Sequence, residues 1–283
     1  MLSYRHAFHA GNFADVLKHL VQVQCLDYLL QKDKPIWYAD THAGAGGYAL
    51  DSSEAQKNAE FQNGIGQLWG KPNLAEPLQA YIELVAQFNQ QAGADQALKF
   101  YPGSPWFAQT LLREHDRLSL FELHPKEQAL LKQNLGSHRR LKIFDTDGFK
   151  GLIAQLPPKE RRGLVLIDPP YEIKEDYDTV VETLVQAHKR FATGTYALWY
   201  PVVERRRINR LEKALVNSGI RNIQLYELGL SEDTNGRGMT ASGMIVINPP
   251  WTLLSQMQML LPDLAKRLGG QAGCYRVETL CDE

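Results

Sequence analysis

The segment LVLIDPPYEI, residues 164–173, carries four apolar residues straight into an acid, two prolines and a tyrosine. A buried strand ending this way holds a carboxylate and an aromatic ring where no core needs them. The prolines fix φ and remove two amide donors, so the carbonyls between them lack local partners and point into a cleft. Asp168 and the Pro169 carbonyl then make a pair of acceptors for one exocyclic NH2 group. Tyr171 offers a face on which a planar base can stack. An arylamine nitrogen is a poor nucleophile because its lone pair is delocalised into the ring. Two acceptors on its hydrogens favour a pyramidal nitrogen that can attack an electrophilic methyl group, and Asp168 can take the proton released.

Open α/β sheets bind ligands beyond the carboxyl ends of their strands, so the residues after each strand should form one site. IWYAD, 36–40, reads as a buried strand delivered into THAGAGG, where Gly44 and Gly46 let backbone amides approach a ligand. The glycines fall as GxGG, which departs from the GxGxxG of a dinucleotide site and weighs against hydride transfer. Glu122 ends the strand LSLFE, where it is either an acceptor for both hydroxyls of a ribose or a solvent-exposed turn carboxylate. Asp147 with Gly148 suits the amino edge of an adenine, and equally suits a simple Asp-Gly turn. A second copy of the acid corner, Asn248, Pro249, Pro250 and Trp251, follows GMIVI. That strand reads as the last of the chain, and the motif of the amino-group methyltransferases that the first corner resembles follows the fourth strand, so the second copy is expected to be a strand terminator.

The elements that must hold these residues alternate. Asn12 and Asp15 open an amphipathic helix, with Val16, Leu20, Val23, Leu26 and Leu30 at helical spacing, which ends before Pro35. Residues 51–100 are polar, rich in Gln and Ala, with helical spacing and no convincing strand, and are read as a helical insertion. Ser104 is expected to cap a helix with Pro105 in its first turn. Strands LKIFD, LVLID and TYALWY follow, separated by helices near 125–135, 148–155 and 175–190. This βα rhythm predicts a parallel sheet with helices on both faces. A basic helix near 203–217 leads to NIQLYELGL and GMIVI, two strands joined by a loop, which predicts an antiparallel hairpin at the end of the sheet.

Composition bounds the rest. The chain has 283 residues, 44% hydrophobic and 22% charged, ordinary for a soluble globular protein. Neither an apolar span nor a signal core is visible, so the cytoplasm is the expected location and no membrane partner is expected. The three cysteines, Cys25, Cys274 and Cys281, have no CxxC spacing and suggest neither disulfides nor zinc. The histidines His6, His9, His19 and His42 lack a matching set of acids or thiolates, so no metal is expected. A net charge of -1 confines any nucleic-acid binding to local patches. Candidates are Arg5, His6, His9, Lys18 and His19, then Arg139, Arg140 and Lys142, then Arg161 and Arg162, and ERRRINR at 204–210. Any one of them also reads as a solvated helix face.

The acid corner resembles that of amino-group methyltransferases that use S-adenosylmethionine, whose catalytic segment is [DNS]PP[YFW]. A longer resemblance runs through LSYRHAFHAGNFADVLKH, DTHAGAGGY, YPGSP, ELHP, RRGLVLIDPPYE, FATGTYALWYPV and GRGMTASGMIVINPPW. Together these segments are similar to the RlmJ family of bacterial large-subunit rRNA adenine-N6 methyltransferases, from residue 2 to about 251; the last residues, GGQAGCYRVETLCDE, match no motif. The resemblance implies a Rossmann-like class I methyltransferase: an α/β fold with a mostly parallel seven-stranded sheet, a C-terminal antiparallel hairpin and an inserted helical subdomain. It implies cofactor contacts at Lys18, His19, His42, Gly44, Ser104, Glu122, Asp147 and Gly148, a catalytic Asp168, and a substrate contact at Tyr4. Ser104 at a helix N-terminus could meet the carboxylate of the cofactor's methionine half.

The implied reaction is methyl transfer from S-adenosylmethionine to the N6 amine of an adenine in 23S rRNA, free or in an assembly intermediate, by a monomer. The base must leave its stack to reach Asp168, Pro169 and Tyr171, which unpaired RNA makes less costly. The same corner would also serve adenine or cytosine in DNA, or a protein glutamine. A third reading is an RNA-binding or ribosome-assembly protein that keeps the fold without the chemistry, which the intact segment at 168–171 disfavours.

Overall fold

The computed structural model describes residues 5–233 and 238–283. The chain begins with α1 (Phe13–Leu30), β1 (Trp37–Asp40), β2 (Gly47–Ala49), α2 (Ser53–Asn58), α3 (Ile65–Leu68), α4 (Glu76–Gln91) and β3 (Phe100–Pro102). It continues with α5 (Ser104–Leu111), β4 (Arg117–Phe121), α6 (Pro125–Leu135), β5 (Leu141–Phe144), α7 (Gly148–Gln155), β6 (Gly163–Ile167) and α8 (Asp176–Arg190). It ends with β7 (Thr195–Val202), α9 (Arg205–Asn217), β8 (Ile223–Gly229), β9 (Ala241–Ile247), α10 (Leu253–Gly269) and β10 (Cys274–Cys281). Among the described residues no helix is long and apolar enough to cross a membrane.

The main sheet runs β10-β8-β9-β7-β6-β1-β4-β5. The five strands from β5 to β7 are parallel neighbours, and β9 pairs antiparallel with both β7 and β8. Strand order turns back at β1: the chain moves outward through β4 and β5, then returns to place β6 on the other side. In such sheets the crevice at this reversal is the ligand site.

The expected hairpin is the β8–β9 pair, but the sheet does not end there. An eighth strand, β10, pairs antiparallel with β8, and α10 leads into it. Both escape a reading of the sequence for physical reasons. CYRVETLC has little consistent burial on either face, as suits an edge strand, and α10 contains Pro262, which reads as a break.

The strands alternate between two cores. Leu164 and Leu166 of β6 face the core beneath α1, α5, α6 and α10, whereas Val165 and Ile167 face the one beneath α7, α8 and α9. That period of two, with both faces covered, is what a central parallel strand requires. The first helix departs from expectation. Asn12 caps it by accepting from the Asp15 amide at 3.0 Å, but α1 is buried on nearly every side, between the sheet, α5, α4 and α10. A helix so placed must satisfy its polar residues internally, and those residues build the site.

Residues 51–99 hold α2, α3 and α4, and β2 pairs antiparallel with β3 at their base. Asn89 on α4 ties this segment to β3, accepting from the Lys99 and Phe100 amides and donating to the Phe100 carbonyl. The chain therefore enters α5 at Ser104 from a fixed direction.

Candidate active site

A cavity of about 320 Å³ opens beyond the carboxyl ends of β1, β4 and β6. Lys18, His19, His42, Gly44, Ser104, Glu122, Asp147, Gly148, Asp168 and Pro169 all line it. Residues from six separate stretches of sequence thus meet in one crevice at the strand-order reversal. Tyr4 lies outside the described residues.

Each strand end has its own local chemistry. Asp40 closes β1, fully buried, accepting from Ser104 Oγ at 2.6 Å and from Tyr38 OH at 3.0 Å. Burial pushes its carboxyl up to about 6, against those two hydrogen bonds. Ser104 therefore spends its hydroxyl proton on Asp40, and Gly103, not Ser104, takes the cap position of α5. Glu122 follows β4 and is clamped by two amides, Gly44 N–H at 2.8 Å and His124 N–H at 2.7 Å. Burial raises it despite those donors. Asp147 caps α7, accepting from the Lys150 amide at 2.9 Å. A Cβ at Gly148 would stand 1.9 Å from the Thr41 carbonyl, so α7 approaches the β1 loop as only glycine permits. His42 packs edge-on against Phe149, and burial lowers its imidazole to about 4, so the ring is neutral near pH 7.

The buried polar residues of α1 supply the wall opposite. Lys18 Nζ donates to Asp168 Oδ2 at 2.6 Å and to Asp15 Oδ1 at 2.8 Å. Burial works to lower the Lys18 amine, but the two carboxylates outweigh it and hold it well above its ordinary range. His6 Nε2 lies 2.8 Å from the other Asp15 oxygen. Asp15 was expected only as an acid in a first turn; its pairing with a lysine three residues on is a signal available in sequence. His19 Nδ1 contacts Tyr101 OH at 2.7 Å, which meets Tyr81 OH at 2.8 Å, while His19 Nε2 is buried without a partner. Burial holds this imidazole well below its ordinary range.

A second cavity, of about 470 Å³, adjoins the first and is lined by Tyr171, Tyr177, Trp199, Pro201 and Arg207 among others. The two share His6, Lys18, Asp168, Pro170, Glu172 and Ile173. Asp168 thus stands at the junction. Tyr171 has φ 51°, a left-handed conformation that is costly for a bulky residue. Its hydroxyl donates to the Trp199 carbonyl at 2.8 Å and its ring lies 4.5 Å from that of Tyr177. Tyr177 and Trp199 come from α8 and β7, and only the fold reveals them as walls of this cavity.

The second acid-like corner lies elsewhere. β9 runs antiparallel to β7, so Asn248 emerges at the opposite end of the sheet from Asp168. Its side chain donates to the Ala192 and Gly194 carbonyls, both at 2.8 Å, and terminates the strand. Several basic candidates are also committed to the scaffold. Arg140 donates to the Gln109 and Arg113 carbonyls, Arg162 to those of Leu29 and Lys34, and Arg205 to Glu227 and Asp233. Arg206 and Arg210 of the same run are exposed on α9. Among the described residues no group of three or more His, Cys, Asp or Glu side chains could hold a metal.

Comparison with known proteins identifies the family. The family model "Ribosomal RNA large subunit methyltransferase D, RlmJ" matches residues 33–281. "Ribosomal RNA large subunit methyltransferase J" of Haemophilus influenzae is 49% identical over 284 residues, covering 100% of both chains. Its namesake in Escherichia coli K12 is 52% identical over 268 residues, covering 95% of this chain and 94% of its own. A crystal structure of a Legionella pneumophila protein superposes with a TM-score of 0.88 at 37% identity, covering 96% of this chain and 98% of that one. A probable spermidine synthase from Corynebacterium glutamicum, 11% identical with a TM-score of 0.53 and covering 96% of this chain and 77% of its own, shares the fold alone. With a family match across most of its length and relatives near half identical over all of it, the chain belongs to the RlmJ family of ribosomal RNA large subunit methyltransferases.

Proposed function

We propose that this enzyme transfers a methyl group from S-adenosylmethionine to the N6 amine of an adenine in 23S rRNA. The observation that carries the reading is the position of Asp168 where two cavities meet, one suited to a nucleoside cofactor and the other to a planar base.

The first cavity's donors and acceptors fit the cofactor. Glu122 is fixed by two amides with lone pairs left for a ribose diol. Gly148 lets α7 close against the β1 loop, where any Cβ would strike the Thr41 carbonyl, and so sets the cavity's wall. The unpartnered Nε2 of His19 suits the carboxylate of an amino-acid end: with Tyr81 donating to Tyr101 and Tyr101 to Nδ1, the imidazole presents Nε2–H as a donor. Lys18, although it lines the cavity, is spent on two carboxylates, so it holds Asp168 and leaves the cofactor to its neighbours.

S-adenosylmethionine, when bound, supplies an electrophilic methyl group to the amine's lone pair. Asp168 accepts from one N6 hydrogen, and the Pro169 carbonyl, on which no other hydrogen bond ends among the described residues, accepts from the second. Lys18 fixes the Asp168 rotamer through Oδ2 and leaves Oδ1 toward the base. Asp168 receives the amine's surplus proton. Tyr171, pinned by Trp199 and Tyr177, gives an extruded base a wall already in place before RNA arrives.

The test is incubation of the purified protein with methyl-labelled cofactor and, separately, unmodified 23S rRNA, duplex DNA and bacterial protein. Label is expected in the RNA and recovered as N6-methyladenosine. Label in DNA or protein in preference to RNA contradicts the assignment.

A further inference from the structure

Glu127, in the first turn of α6, lines the first cavity and is only 6% exposed. Its Oε2 is buried and forms no hydrogen bond among the described residues. The one lysine that lines this cavity does not compensate it, being committed to Asp15 and Asp168. Glu122 stands close by: burial raises its carboxyl, and the charge on Glu127 raises it further against the Gly44 and His124 amides. A helix start favours an acid by a fraction of what a buried, unpaired carboxylate costs, so the arrangement calls for a cationic ligand.

Position identifies which part of the ligand. Tyr48 OH accepts from the Ala45 amide inside the glycine turn, and Tyr48 is raised by burial and then by the nearby Glu127 charge. Glu127 therefore faces the glycine turn, whereas Asp147, Gly148 and Phe149 flank the same cavity from α7. Ser104 and His19 line the same cavity: the Gly103 amide donates to the Gly46 carbonyl at 3.0 Å, bringing the start of α5 against the glycine turn, and His19 Nε2 is buried without a partner. An orphan acceptor and an orphan donor in one crevice suit the two ends of a zwitterion.

We propose that Glu127 binds the α-ammonium of the cofactor's amino-acid end, complementing His19 at its carboxylate. The inference rests on the cofactor reading above. Calorimetric titration of the full chain and of Glu127→Gln with two probes tests it: S-adenosylhomocysteine, and 5′-methylthioadenosine, which keeps the nucleoside and thioether but has no amino-acid group. Glu127→Gln is expected to weaken S-adenosylhomocysteine by about 10- to 100-fold, the range for a lost charge-assisted hydrogen bond, and to leave methylthioadenosine within about twofold. Retained methylthioadenosine binding also shows that the variant folds. Unchanged affinity for S-adenosylhomocysteine, or equal loss for both probes, overturns the role of Glu127. A wild-type chain that binds neither probe overturns the cofactor reading itself, and this inference with it.

Discussion

Lys18 Nζ lies 2.6 Å from Asp168 Oδ2, joining the first helix to the end of β6 across 150 positions of sequence. The same ammonium reaches Asp15, so one buried cation holds two carboxylates at the junction of the cavities.

Removing that cation strands both acids. Lys18→Met is expected to cost about 3–5 kcal/mol of stability, the range for breaking a buried ion pair from one side. Chemical denaturation at neutral pH measures it. A loss below about 1 kcal/mol would show that water already screens the cluster, as it does at exposed pairs.

A pH dependence follows from His42, which burial lowers to about 4 from an ordinary 6.5. Below pH 6.5 the unfolded chain takes up a proton that the native imidazole refuses, so stability is lost as pH falls from 6.5 to 4. The ring is partly open to the cavity, so the loss specific to His42 should be about 1–3 kcal/mol. It is read as the difference between wild type and His42→Gln in denaturation at pH 7 and pH 4.5. A difference that does not change with pH refutes the assignment.

The contrast between the two proline corners gives a third prediction. Asn248 spends its amide on two backbone carbonyls at the far end of the sheet and sits at φ 50°. Asn248→Ala should lower stability by about 1–3 kcal/mol, through lost hydrogen bonds and a left-handed alanine, with kcat unchanged at a temperature where the variant is folded. Turnover that falls while stability holds would mean the corner was assigned to the wrong end of the molecule.

The strand ends of this site were legible because each carries its signal locally: an apolar run, then Gly44, Glu122, Asp147 with Gly148, or Asp168. The α/β alternation and the β8–β9 hairpin were legible for the same reason. What failed was non-local. Nothing around Lys18 announces Asp168 as its partner, and nothing around Ser104 says that its hydroxyl turns to Asp40. Glu127 reads as an ordinary first-turn acid until the cavity shows it without a partner. β10 was missed because an edge strand need bury neither face fully, and so loses the alternation that identifies strands.

Asp168, at the junction of the two cavities, is the most direct target for a test. Quantitative nucleoside mass spectrometry of 23S rRNA treated with wild type or Asp168→Ala, alongside calorimetry with S-adenosylhomocysteine, separates its contribution to chemistry from any contribution to cofactor binding. We expect N6-methyladenosine formation to fall by at least about 100-fold, as for loss of a general base, with S-adenosylhomocysteine affinity changed by less than about tenfold. Methylation at the wild-type rate, or affinity lost in step with activity, would contradict it.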